Sequence, residues 1–285
     1  MGAEGKKIIP KIFYAKNFCA KIVVKMSSLY DVRVKIVGTK DVSLVDVIGY
    51  PSYTIWFPYC NFRCPWCQNW PVVEGRNIKI LRIRELMNMI KESASIIEYV
   101  HVTGGEPTLQ PNALRALFKV IHEDLNLKNS LNTNGFSWLV VKNLVNDDLI
   151  DHIAMDIKAP LSDPKLYSLV TGVPQGINIV ENVEKTLKLV LDRLEFVELR
   201  TTFVPPLNVR DLVKIALELK EMGCNKHCYY IIQQFIPNEN APDPRYRSGR
   251  IVPINELLEI AKIVKRESGL GNIYIRSMEE GVTTV

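Results

Sequence analysis

The chain has 285 residues, of which 47% are hydrophobic, 24% charged and 8% aromatic, and its formal net charge is +5. That composition excludes a polyelectrolyte or a disordered chain and is enough to build a substantial core in one large or two small α/β domains. No apolar run approaches the ~18 residues of a membrane helix, and lysines interrupt the hydrophobic residues near the amino terminus, so neither a span nor a signal peptide is expected and the protein reads as cytoplasmic.

In chain order, residues 1–42 read as a lead-in extension or hairpin, with "VRVKIVG" (32–38) as one strand, ahead of a main domain over 43–285. Lys6, Lys7, Lys11, Lys16, Lys21 and Lys25 face few acids there; spaced lysines of this kind read as a solvated tail, so no nucleic-acid partner is expected. From residue 52 onward, β-rich runs alternate with helical patterns. "SYTIWF" (52–57), "YVHVT" (99–103), "SLNT" (130–133), "HIAMDI" (152–157), "FVELRTTFV" (196–204), "YYIIQQF" (229–235) and "NIYIRS" (272–277) predict strands. Helical patterns fall between them at about 82–93, 111–125, 138–146, 180–192, 209–222 and 253–267. The alternation predicts βαβ units and a parallel sheet, in an open or incomplete β/α barrel, with a doubly wound sheet as the alternative. In either case functional groups gather beyond the carboxyl ends of the strands. The segment 236–253 is rich in Pro, Asn and Asp and predicts a long irregular loop.

Cys60, Cys64 and Cys67 stand in a C-x3-C-x2-C run directly after the first of these strands. Three thiolates can hold three irons of a 4Fe-4S cluster and leave the fourth iron open, whereas a zinc site would need completion by Cys224, Cys228 or His227. Cys224 and Cys228 otherwise read as core residues, and in a reducing compartment disulfides are not expected. After the second strand, "TGGEP" places Gly104, Gly105 and Glu106 where a backbone free of side chains can approach a ligand. Polar residues inside buried parallel strands stand out against the usual apolar run. Asp156 and Lys158 share one strand face, as do Arg200 and Thr202; together they converge inside the barrel mouth either around a buried structural ion pair or as ligand contacts. Asn134 in "NTNG" is a turn former or a ligand contact, and Trp66 shields the cysteine loop or stacks on a purine.

The pieces "CNFRCPWCQN", "TGGEPTLQP", "LNTNG", "MDIKAP", "NVEKTLKLV", "RTTFVP" and "QQFIPNENAPDPRYR" resemble the radical S-adenosylmethionine superfamily. Within it they resemble the activating proteins of glycyl radical enzymes, above all those of anaerobic ribonucleotide reductase. The resemblance implies an incomplete (β/α)6-type barrel open on one side, a 4Fe-4S cluster on Cys60, Cys64 and Cys67, and S-adenosylmethionine as cosubstrate. It further implies cosubstrate contacts from Trp66, Gly104, Gly105, Glu106, Asn134, Asp156, Lys158 and Arg200. The implied partners are a glycyl radical enzyme, as protein substrate, and a one-electron donor such as flavodoxin or ferredoxin. A family member acting on a small molecule or RNA would share the same cluster features. Three departures are visible: Tyr59 stands where the family usually has glycine, Gln68 stands in "CQN" where the family often has "CHN", and Asn132 replaces an acid that holds a monovalent cation in some relatives. The irregular loop, whose freedom Pro237, Pro242 and Pro244 limit, reads either as a partner contact through Arg245, Arg247 and Arg250 to acidic groups or as an ordered surface loop closing its own barrel.

Overall fold

The computed structural model describes residues 28–174, 178–224 and 226–285. All seven strands read from the sequence are present, as β3 (Tyr50–Phe57), β5 (Tyr99–Gly104), β6 (Lys128–Thr133), β7 (His152–Asp156), β8 (Val197–Phe203), β9 (Cys228–Gln234) and β10 (Ile273–Ser277). They run parallel and lie in chain order within one nine-stranded sheet, so the strand order of a doubly wound sheet is ruled out. Two antiparallel strands finish the edges: β2 (Gly38–Val47) pairs with β3, and β11 (Gly281–Thr284) pairs with β10. The domain boundary expected between 42 and 43 therefore lies inside β2. A separate ribbon joins β1 (Arg33–Ile36) to β4 (Lys79–Arg82).

The helices between strands lie where the periodicity put them: α2 (Ile83–Ser93), α3 (Pro111–Leu125), α4 (Trp138–Asn146), α6 (Ile179–Arg193), α7 (Val209–Glu221) and α8 (Ile254–Ser268). Two more had not been read, the short α1 (Trp70–Val73) and α5 (Pro164–Thr171). Among the described residues no helix is long and apolar enough to cross a membrane.

Side-chain alternation divides the sheet into two faces. Ile55, Val102, Leu131, Ile153, Leu199 and Ile275 are fully buried in one apolar core, and each such side chain contributes about 1.5–3 kcal/mol through burial. The intervening residues form the inner face and are largely polar: Thr54, His101, Ser130 and His152 sit side by side in register across β3, β5, β6 and β7. The Ser130 hydroxyl lies 2.7 Å from a ring nitrogen of each histidine.

The sheet curls around this inner face. β2 and β8 are separated by four strands, which in a flat sheet would place them about 24 Å apart at ~4.8 Å per strand. Instead the Ile48 amide, just past β2, donates to Glu198 Oε1 at 2.8 Å, and Arg200 Nη2 donates to the Asp46 carbonyl at 2.6 Å. Because β2 and β11 do not pair, the barrel stays open on one side.

Candidate functional site

The cysteine run leaves β3 through Tyr59, a non-glycine residue with φ of 69°, in the left-handed region that glycine usually fills. Tyr59 is held there from both sides: its amide donates to the Val72 carbonyl at 3.0 Å, and its carbonyl accepts from the Glu106 amide at 2.7 Å. The Gly104–Gly105 pair makes that docking possible. A Cβ on Gly105 would fall 1.8 Å from the Tyr59 carbonyl oxygen, and one on Gly104, at φ of 122°, 2.2 Å from that of Phe57. The close approach expected of these glycines is thus made in the first place to the cysteine loop itself.

The other side of the loop rests on α5. The last carbonyls of a helix lack intrahelical partners, and here the loop supplies donors: the Arg63 amide reaches the Thr171 carbonyl at 2.9 Å and Trp66 Nε1 reaches that of Val170 at 3.0 Å. Gly172 closes the helix with φ of 64°, and a Cβ there would lie 2.0 Å from the Arg63 carbonyl oxygen. Gly172→Ala combines left-handed strain with a clash against backbone, so it should cost at least about 2 kcal/mol in urea denaturation of the apoprotein. Gly38→Ala, with open space around the new Cβ and no positive φ, is the matched control and should be nearly neutral.

At the carboxyl ends of the strands these elements enclose a cavity of about 350 Å3. Cys60, Cys64, Cys67, Trp66, Gly104, Gly105, Asn134, Asp156, Lys158 and Arg200 all line it, so residues spread over 140 positions of sequence converge as expected. Glu106 does not line it. It is 1% exposed behind the wall, where its carboxylate accepts from the Asn134 amide (2.7 Å), the Thr133 hydroxyl (2.8 Å) and both the amide and the hydroxyl of Thr108. Glu106 therefore sets the exit of β6. The Asn134 side chain in turn donates to Asn61 Oδ1 at 2.8 Å and lies 3.8 Å from Cys60 Sγ.

Charges are distributed unevenly around the cavity. Lys158 Nζ pairs with Asp156 Oδ2 at 2.8 Å and sits 4.9 Å from the centre of the Trp66 ring. Burial alone would depress the ammonium, but Asp156 and the neighbouring Cys64 thiol hold its pKa above the ordinary value. Burial pushes the thiols of Cys60 and Cys64 up to about 12, so assembly of a metal centre on them releases protons. Arg200 Nε donates to Glu198 Oε2 at 2.8 Å, and Nη2 bonds the same oxygen. Arg276 Nη2 approaches that oxygen at 3.4 Å, and His152 Nε2 lies 3.2 Å from Oε1, poorly aligned.

Thr202, read from the sequence together with Arg200, lines the cavity, as do Asp46, Gln233 and Arg276, which had not been singled out. The signal was present for Gln233 and Arg276, which are polar residues within predicted parallel strands, the criterion that selected Asp156. A second, larger cavity of about 600 Å3 lies at the amino ends of the strands among Tyr50, Tyr99, Phe196 and Tyr229. It contains none of the thiols or candidate contacts.

Three expectations change. Cys224 and Cys228 are joined as a disulfide, although none was expected, and both are buried as read. They sit before and at the start of β9, at the sheet's amino end, so with His227 beside them they cannot complete a zinc site with the cysteine run at its carboxyl end. Among the described residues no three His, Cys, Asp or Glu side chains gather closely enough to hold a single ion. Separate thiols around an open cavity suit a cubane, in which each cysteine binds its own iron. The arginines of 236–253 are engaged within the chain: Arg245 with Asp243, Arg247 with the Ala241 carbonyl and Arg250 with Glu256. That segment leans on the cysteine loop, where Gln68 Nε2 donates to the Ile236 carbonyl at 2.7 Å and the Asp243 amide to that of Pro65 at 3.2 Å. Cys19 and the terminal lysines lie outside the described residues.

Comparison with known proteins agrees with this geometry. The sequence profile of the Radical SAM superfamily matches residues 54–219. A protein of Methanocaldococcus jannaschii with the provisional name glycyl-radical enzyme activating enzyme is 30% identical over 242 residues, covering 85% of this chain and 95% of that one. Among solved structures, a radical SAM methyltransferase from Sphaerobacter thermophilus superposes with a TM-score of 0.58 at 14% identity, covering 79% of this chain and 66% of that one. The structure of anSMEcpe with bound AdoMet does so with a TM-score of 0.51 at 18% identity, covering 76% and 60%. With more than half of its length under the profile, and its cofactors thereby a 4Fe-4S cluster and S-adenosylmethionine, the chain belongs to the radical SAM superfamily.

Proposed function

We propose that this radical SAM enzyme is an activase that takes a hydrogen atom from a glycine of a partner enzyme and leaves a glycyl radical there. Similarity to the Methanocaldococcus jannaschii protein over nearly all of that protein's length carries the reading. In it, Cys60, Cys64 and Cys67 hold three irons and leave the fourth to the cosubstrate. When bound, the pair supplies one-electron reductive cleavage of the sulfonium to methionine and a 5′-deoxyadenosyl radical, with flavodoxin or ferredoxin as the electron source.

The chain's own residues bind and orient. Asp156, Lys158 and Arg200 offer charged contacts to the cosubstrate, and Asn134, at the exit of the neighbouring strand β6, offers its carboxamide. Trp66 is 8% exposed, with its indole nitrogen tied to α5 and Lys158 against its ring, so it keeps water from the cysteine loop and presents an aromatic wall. Glu106 acts through Asn134 as a positioning residue.

Charge-assisted contacts contribute about 1.5–3 kcal/mol each, so Asp156→Asn, Lys158→Met and Arg200→Lys should each weaken cosubstrate binding by roughly 10- to 150-fold while the cluster's visible absorption persists. Unchanged affinity in all three would remove them from the site. The activase reading itself is tested by mixing the reduced enzyme and S-adenosylmethionine with a glycyl radical enzyme from the same genome. An organic radical should appear on that partner by electron paramagnetic resonance, and [2-2H]glycine labelling should narrow its signal. A radical unaffected by the label, or none, would count against this reading.

A further inference from the structure

One wall of the cavity has no role in the reading above. Thr202, Gln233 and Arg276 lie on the three neighbouring strands β8, β9 and β10, and the register pairs Thr202 with Gln233 and Gln233 with Arg276. Neighbours in a parallel register present their side chains to the same face, and all three line the cavity. Among the described residues, neither the Thr202 hydroxyl nor the Gln233 carboxamide has a hydrogen-bond partner. Arg276 Nε is buried without one, although its Nη2 leans on Glu198. Buried polar groups are normally paired, and an unpaired one is costly. Thr202 and Gln233 are half-buried, with polar groups that no other described residue engages at the cavity surface beside the Arg276 guanidinium, so the three form a row able to take a ligand.

The charge balance narrows the ligand class. Before cofactors are counted, Lys158, Arg200 and Arg276 are matched by Asp46, Asp156 and Glu198, so the wall offers no net attraction to an anion. What it offers is a line of neutral and cationic donors with two acceptors. Two interstrand spacings of ~4.8 Å make the row about 10 Å long, the length of roughly three residues of extended chain. Glycine has no side chain to recognise, so an enzyme that selects one must read the peptide groups around it.

We propose that Thr202, Gln233 and Arg276 form a shelf that hydrogen-bonds the backbone of an extended, glycine-containing peptide and holds it against the cosubstrate site. This rests on the activase reading for the identity of the peptide, though not for its backbone chemistry. Gln233 pairs with one peptide group through both its carbonyl and its amino group, the exposed part of the Arg276 guanidinium donates to a carbonyl, and Thr202 takes either role. Arg200, two residues before Thr202 on the same face of β8, lies deeper and remains with the cosubstrate.

The test uses the anaerobically reconstituted full chain with S-adenosylmethionine and, as probe, 14C-labelled acetyl-pentaglycine amide in equilibrium dialysis. The wild type should bind it and should bind acetyl-pentasarcosine amide, which lacks backbone N–H groups, at least fivefold more weakly. Gln233→Leu and Thr202→Val should each raise the pentaglycine Kd at least fivefold. Arg276→Lys keeps a cation beside Glu198 while removing the guanidinium fork and should do the same, so loss of binding cannot be blamed on a collapsed wall. Equal affinity for the two probes, unchanged Kd in all three variants, or no binding to the wild type would overturn the shelf.

A second arm separates the shelf from the reading beneath it, using dithionite-reduced protein, S-adenosylmethionine and the same peptide with deuterium on every glycine Cα. Deuterium recovered in 5′-deoxyadenosine from the wild type, with a peptide concentration at half-maximal transfer that rises in the variants, supports both. Transfer that is equal in wild type and variants overturns the shelf and leaves the activase standing. Shelf-dependent binding without transfer supports the shelf and counts against the activase.

Discussion

Replacing Glu198 with alanine is expected to lower the stability of the apoprotein by about 3–5 kcal/mol, the usual cost of leaving buried charge unpaired. Glu198 is fully buried and is the point at which the curled sheet is tied together. Its carboxylate receives Arg200 through two nitrogens, Arg276 at 3.4 Å and the Ile48 amide at 2.8 Å, with the poorly aligned His152 ring 3.2 Å away. Without it, two guanidinium groups in the barrel interior lose their counter-ion and the β2 edge loses an anchor on β8. Burial alone would raise the acid's pKa, but Arg200 and then His152 hold it well below the ordinary carboxylate range. A depressed native pKa contributes stability that is fully present above the unfolded value of about 4.3 and is lost as pH falls through the native value. The gap between wild type and Glu198→Ala should accordingly be full at pH 7 and close only in strong acid. Glu198→Gln keeps the shape and the Ile48 contact, so it should lose less. Urea denaturation reads all three proteins, and a loss under about 1 kcal/mol for alanine would show that the interior ion cluster does not hold the barrel.

Cys64→Ala should abolish the cluster and cosubstrate cleavage together while leaving the fold intact. Cys64 is 8% exposed and packs with the core as a small apolar side chain, so truncation should cost only about 1 kcal/mol. Its chemical contribution is of another order, since two thiols cannot replace three at a cubane that already leaves one iron to the cosubstrate. Broad visible absorption after anaerobic reconstitution should fall to background, as should 5′-deoxyadenosine formation. Retention of either would show that another residue supplies the third ligand.

Much of this was legible in the sequence because periodicity and punctuation are local. The seven parallel strands and six helices followed from alternation, and the convergence of Cys60, Asp156 and Arg200 followed from their placement at carboxyl ends. Helix α5 carried clear signals that went unread: Asp163 caps it by accepting from the Leu166 amide, Pro164 opens it and Gly172 ends it. What local patterning could not give was pairing across the chain. That β2 is antiparallel to β3, that Glu106 faces inward to Thr133 and Asn134, and that Gly105 serves the Tyr59 carbonyl all depend on contacts between distant segments. The disulfide was missed for a different reason, since compartment set the expectation and proximity across a four-residue loop overruled it. Glu198 sat beside Arg200 in "ELRT", two positions away on the same face, and the ion pair could have been proposed from that spacing alone.

The most direct test of the site mixes the anaerobically reconstituted, dithionite-reduced protein with S-adenosylmethionine in the absence of any partner. Methionine and 5′-deoxyadenosine should form in equal amounts, in proportion to the 4Fe-4S content measured on the same sample. Protein that carries stoichiometric zinc and no iron after anaerobic isolation, or an intact cluster that leaves S-adenosylmethionine uncleaved, would contradict the chemistry assigned to Cys60, Cys64 and Cys67.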